Sequence, residues 1–123
     1  DKAGRIAYTS SSIAVDREIT KTGLFSEKRW CQGSWDLTNG NGAGQGYCKA
    51  ENSGDSVQVQ WNGMCSTFPD KDGKPQTRCG GGWIYIPGTG TGRFAGIQGN
   101  GAWWGTATAD GGFEEEWNGH YQK

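Results

Sequence analysis

A strand–turn–strand unit occurs twice in this chain, and that repetition limits the fold more than any other feature. Gly40-Asn41-Gly42-Ala43 returns as Gly99-Asn100-Gly101-Ala102. Val57-Gln58-Val59-Gln60-Trp61-Asn62-Gly63 returns as Phe113-Glu114-Glu115-Glu116-Trp117-Asn118-Gly119. Asn52-Ser53-Gly54-Asp55 supplies the turn in the first copy and Asp110-Gly111-Gly112 the turn in the second, since glycine accepts φ > 0 without steric cost. Hairpins of one design, repeated about sixty residues apart, point to a sheet built by repetition, as in barrels.

Alternation of period 2 assigns the faces of these strands. Val57, Val59 and Trp61 fall on one side and Gln58, Gln60 and Asn62 on the other. From Trp30 onward, Cys31, Gly33, Trp35 and Leu37 share a face, and after an Asn39-Gly40 turn Gly44, Gly46, Cys48 and Ala50 continue it. Trp35 then stands opposite Gly44, where an indole can cover a backbone without a side chain. A last hairpin centred on Asp110-Gly111 pairs Trp104 with Trp117 and Thr106 with Glu115. Its inner face carries Trp104, Phe113, Trp117 and Tyr121 with one carboxylate, Glu115; Trp103, Glu114, Glu116, Asn118 and His120 lie outside. Val59 holds the position of Glu115 in the first copy, so the scaffold itself does not require an acid there.

The chain is long enough, at 123 residues, for a single domain over 1–123 with one core. Glycine (23) and tryptophan (7) are abundant and no stretch has helical periodicity, so the fold class is all-β. Net charge is −1 with no basic cluster, which argues against nucleic acid. No apolar run approaches the ~20 residues of a membrane helix, and the opening at Asp1 reads as a processed mature chain or a trimmed one.

Cys31, Cys48, Cys65 and Cys79 allow three pairings. The Asn39-Gly40 turn sets Cys31 opposite Cys48, and a loop centred on Asp72 sets Cys65 opposite Cys79. A zinc site is the alternative, though spacings of 17 and 14 lack the close cysteine pairs zinc sites use. Disulfides would place the protein in an oxidising compartment, secreted or periplasmic.

Two N-terminal strands are expected, Arg5–Thr9 and Ser12–Asp16, the second running on toward Ile19. A polar loop over 21–29 follows, with Leu24 and Phe25 embedded. Ser66–Arg78, charged and with two prolines, reads as irregular. Cys79–Ile86 is a strand with Trp83 and Tyr85 inside and Ile84 and Ile86 outside. Gly90-Thr91-Gly92-Arg93-Phe94-Ala95 has the form of a phosphate loop but lacks the following helix. It reads better as bends at which Phe94 and Ile97 plug one barrel end. The total is eight antiparallel strands in an up-and-down barrel. Ile84, Ile86 and Trp103 outside would form an apolar patch of the kind that makes a homodimer or homotrimer.

The run Gly90–Gly101, the strand ends Trp61-Asn62-Gly63 and Trp117-Asn118-Gly119, and the Asp110-Gly111-Gly112 hairpin resemble the small bacterial relatives of allene oxide cyclase and dirigent proteins. The resemblance extends from Trp30 to Tyr121. It implies an eight-stranded barrel, often oligomeric, that holds an apolar or polyunsaturated substrate in an aromatic lumen and steers cyclisation or radical coupling without a cofactor. No catalytic residue of the plant enzymes maps onto this chain, and fold does not fix function.

Three functions stay open. In the first, Glu115 is the acid/base of a cofactor-free isomerase or cyclase: burial without a cation would raise its pKa, and Glu115→Gln would keep or raise stability. In the second, the lumen binds an apolar or aromatic small molecule without chemistry, lined by Trp35, Trp61, Trp83, Tyr85, Trp104, Phe113, Trp117 and Tyr121. In the third the tryptophans simply fill the interior. Asp36 and Tyr121 are weaker polar candidates. His120, the only histidine, has no companion ligands for a metal.

Overall fold

Turn chemistry sets the register of the tight hairpins among the described residues. The computed structural model describes residues 5–14, 28–110 and 112–123. Strands β1 (Arg5–Ala14), β2 (Lys28–Thr38), β3 (Asn41–Asn52), β4 (Asp55–Pro69), β5 (Pro75–Tyr85), β6 (Gln98–Ala107) and β7 (Phe113–Gln122) form one antiparallel sheet in chain order. Asn39 and Gly40 turn β2 into β3 with φ of 51° and 78°, the paired positive angles of a tight hairpin whose twist matches its strands. That turn sets Cys31 opposite Cys48 and Trp35 opposite Gly44, as expected. Cys65 likewise faces Cys79. Both opposed pairs are disulfides, so the zinc alternative falls.

Four expectations are corrected. The two N-terminal strands are one, β1, paired along its whole length with β2; the continuation toward Ile19 and the residues Leu24 and Phe25 lie outside the described residues. The supposed irregular loop over 66–78 is mostly strand. Thr67 and Thr77 oppose each other with hydroxyls 2.8 Å apart, and the Asp70 carboxylate accepts the Asp72 and Lys74 amides at 2.8 and 2.9 Å to make the short turn.

The third correction is in the last hairpin. Asp110 accepts the Gly112 amide at 3.0 Å and contacts the Thr108 hydroxyl, while the Thr108 amide donates to the Gly112 carbonyl at 3.0 Å. This three-residue loop is centred on Asp110, one half-step from the two-residue turn anticipated. Trp103 therefore faces Trp117, and Gly105 faces Glu115. A one-residue slip moves a whole strand to the opposite face. Trp103 is inside at 4% exposure, and Trp104 is outside at 45%.

The sheet is open, not a closed eight-stranded barrel: it has seven strands, and no pairing joins β7 to β1 among the described residues. It is nonetheless strongly coiled. In a flat sheet β2 and β7 would stand about 24 Å apart, yet Arg29 of β2 reaches Glu115 of β7 at 2.8 Å.

Glycine and tryptophan are coupled across this coil. A Cβ on Gly46 would lie 2.7 Å from Trp61 Cζ2, one on Gly63 3.0 Å from Trp103 Cη2, and one on Gly119 2.6 Å from Trp83 Cζ2. Indoles lie against bare backbone one or two strands away, which is why the chain needs both residues in quantity. The Trp103 and Trp83 indole N–H groups also donate to the Asn62 and Asn118 carbonyls, each at 2.9 Å.

Two clusters fill the concave side. Cys48, Val59, Trp61 and Trp103 form one; Ala50, Val57, Phe94 and Ile97 form the other. Phe94 and Ile97, expected to plug one end of a barrel, instead pack in the second cluster against Ala50 and Val57 of the open sheet. Burying Phe94, at 1% exposure, contributes about 1.5–3 kcal/mol. Its loop is tied to β4 by Thr91, which exchanges bonds with the Ser56 backbone at 2.8 and 2.9 Å. The phosphate-loop form is filled from within: Asp55 accepts the Arg93 amide and Nε at 3.1 and 3.2 Å, so an internal carboxylate occupies the anion position. Those bonds, the amide first and the guanidinium second, hold the Asp55 carboxyl below its ordinary pKa.

Candidate functional site

The concave face grades from a sealed half to an accessible half. Trp61 and Trp103 are sealed, at 7% and 4% exposure. Trp35 tilts against Trp61 with ring centroids 5.4 Å apart, and Trp103 meets Trp61 edge-on at 6.0 Å. Toward β5 and β7 the rings become reachable. Trp83, Tyr85 and Trp117 are half-buried, and Phe113 and Tyr121 are each 40% exposed. Trp83 stands edge-on to Tyr85 at 5.0 Å and tilts toward Trp117 at 6.3 Å. Trp117 also stacks on Trp103 at 5.9 Å. The result is an aromatic shelf backed by a packed aromatic wall.

An ion pair sits on that shelf. Arg29 is 6% exposed. Its guanidinium lies 4.4 Å from the Trp117 ring centroid and donates Nη2 to Glu115 Oε1 at 2.8 Å. A planar cation over an indole with a charge-assisted bond at its edge fixes both partners. The Glu115 side chain keeps 28% of its surface exposed. Burial, chiefly, and Tyr121 nearby push the Tyr85 phenol above its ordinary pKa, so it stays a neutral donor and acceptor beside the shelf.

Of the residues expected to line an interior, Trp35, Trp61, Trp83, Tyr85, Phe113, Trp117 and Tyr121 share the concave face. Trp104 does not, because of the register slip, and it lies on the convex side with Glu116 and Glu114. Asp36 also lies on the convex side, opposite Ala43. Glu115 shares the concave face by register, but it is solvent-exposed and has a cation beside it, contrary to a buried, unpaired acid. Arg29 and Trp103 were missed. Arg29 precedes Cys31, Gly33 and Trp35 with the same parity, so extending the alternation back by two residues finds it.

Two buried indole N–H groups, of Trp61 and Trp117, have no acceptor among the described residues. Buried donors without partners are uncommon and costly. Among the described residues, no helix is long and apolar enough to cross a membrane. Comparison with family models, curated proteins and solved structures found no match to this chain.

Proposed function

We propose that this protein is a secreted or periplasmic binder of an apolar or aromatic small molecule, held on the concave shelf of Trp83, Tyr85, Phe113, Trp117 and Tyr121. The observation that carries this reading is the meeting of accessible rings with a fixed ion pair. Apolar surface with a few convergent polar groups is what small-molecule sites offer. The rings supply most of the affinity, while Arg29, Glu115 and the Tyr85 phenol orient whatever polar group the ligand bears. Two disulfides support the oxidising setting. Kinship with the allene oxide cyclase and dirigent relatives belongs to the same proposal and agrees with an aromatic concave face.

Binding is favoured over catalysis by Arg29. The acid–base argument depended on a carboxylate with no cation beside it, and Arg29 Nη2 stands 2.8 Å away. Under the binding reading Glu115 holds Arg29 over Trp117 and does no proton transfer. The purely structural reading has its own support, the interlocked Trp61, Trp103 and Gly63, against which Trp83, Tyr85 and Trp117 also pack; Phe113 and Tyr121, each 40% exposed, keep the shelf accessible.

The test is quenching of intrinsic tryptophan fluorescence by cis-parinaric acid and by 2-naphthol, in wild type and in Trp117→Ala. Saturable quenching that Trp117→Ala weakens is expected. No saturation up to ~1 mM, where binding of only about −4 kcal/mol would register, would leave the structural reading.

A further inference from the structure

The convex face carries a second arrangement that the concave shelf does not use. Register places Ser34, Gln45, Asn62, Gly82, Ala102 and Asn118 in one row across strands β2 to β7. The adjacent row reads Asp36, Ala43, Met64, Gly80, Trp104 and Glu116. At one end is an open depression of about 570 Å³, walled by Ser34, Asp36, Gln45, Ala43 and Ala7. At the other, Trp104 is 45% exposed beside two glycines of β5 that leave room for a flat group to lie against its ring. Met64, 65% exposed, lies between them.

We propose that this face binds a neutral polysaccharide, with the chain laid across the strands from the depression to Trp104. Sugars present hydroxyls that both donate and accept, and flat C–H faces that stack on aromatic rings. The two rows match both demands. Gln45, Asn62 and Asn118 are exposed amides and Ser34 an exposed hydroxyl. Asn62 Oδ1 accepts the Gly82 amide at 3.1 Å, which fixes that carboxamide and turns its NH₂ toward the surface. Neither row contains Lys or Arg, and acids stand only at the two ends, so an anionic polymer finds no counter-charge here. Neighbouring strands are about 4.8 Å apart, so the run from Ser34 to Ala102 follows an arc of about 19 Å around the coiled sheet, the length of several sugar rings. The depression lies within the about 300–1,000 Å³ typical of ligand sites, and its openness suits a polymer that enters and leaves along the surface.

The experiment measures retention of the full chain on microcrystalline cellulose and chitin, and its retardation in gels containing soluble mannan or xylan. The variants are Trp104→Ala and Gln45→Ala; both residues are exposed, and urea midpoints verify that both variants fold. Sedimentation of the same samples tells a polymer site from a contact between copies. Retention on at least one polymer that falls about fivefold to thirtyfold in both variants is expected, the loss usual for a central contact. No retention on any of the four polymers overturns the proposal. So does retention that either variant leaves at the wild-type level, or a dimer that Trp104→Ala dissolves in a protein that binds no polymer.

Discussion

Glu115→Gln tests the ion pair most sharply, because the structure reverses the sign expected from a buried, unpaired acid. Arg29 is 6% exposed and bonds Glu115 at 2.8 Å. Breaking a fully buried pair from one side costs about 3–5 kcal/mol. Three features reduce that here: the Glu115 side chain is 28% exposed, glutamine still offers an acceptor oxygen, and the Trp117 ring still faces the guanidinium. The loss is then about 1–2 kcal/mol, near the difference between a charge-assisted and a neutral hydrogen bond. For a chain of 123 residues this lowers Tm by about 4–8 °C. Arg29→Met leaves Glu115 partly in water and should cost a similar amount. The double variant replaces the pair altogether and should lose less than the sum of the two, with a coupling of about 1–2 kcal/mol. Urea unfolding followed by near-UV circular dichroism, with the disulfides intact, supplies all three values. A Glu115→Gln protein as stable as wild type, or more stable, refutes the reasoning.

Gly46→Ala should destabilise by about 3 kcal/mol or more, because the new methyl would stand 2.6 Å from Gly33 Cα and 2.7 Å from Trp61 Cζ2; urea midpoints decide it. Replacing Cys31 and Cys48 together by serine should cost about 3 kcal/mol, from the freedom restored to a 17-residue loop, and the same denaturation experiment reads it. The latch between Asp55 and Arg93 has a definite pH sense. Its folded carboxyl pKa is lowered, so its stabilisation is present above the unfolded carboxylate pKa of ~3.9 and is lost as pH falls through the lower folded value. The stability gap between wild type and Asp55→Asn should therefore be constant near neutrality and close in acid; a gap independent of pH refutes the assignment.

Much of the fold was legible because local rules fixed it. Asn39-Gly40 and the opposed cysteines set two strand pairs in register, β2 with β3 and β4 with β5, and the alternation through Val57, Val59 and Trp61 named the inner face. The last hairpin was misread because the Asp110 side chain, not the glycines, decides the loop length, and parity then carried the error to Trp103 and Trp104. The ion pair was harder to see. Arg29 and Glu115 are 86 residues apart, and only the coil of the whole sheet brings β2 to β7. Alternation assigns a residue its face but not its neighbour across a curved sheet. The convex rows were readable as polar, yet their alignment depended on five successive registers, the last of which had slipped.

The binding claim is tested most directly by the indole ¹H–¹⁵N spectrum, in which each tryptophan gives its own signal. Titration with cis-parinaric acid should move the Trp83 and Trp117 signals saturably and leave Trp104, on the opposite face, in place. Movement of Trp104 without Trp83 and Trp117, or no movement at all, would contradict the account.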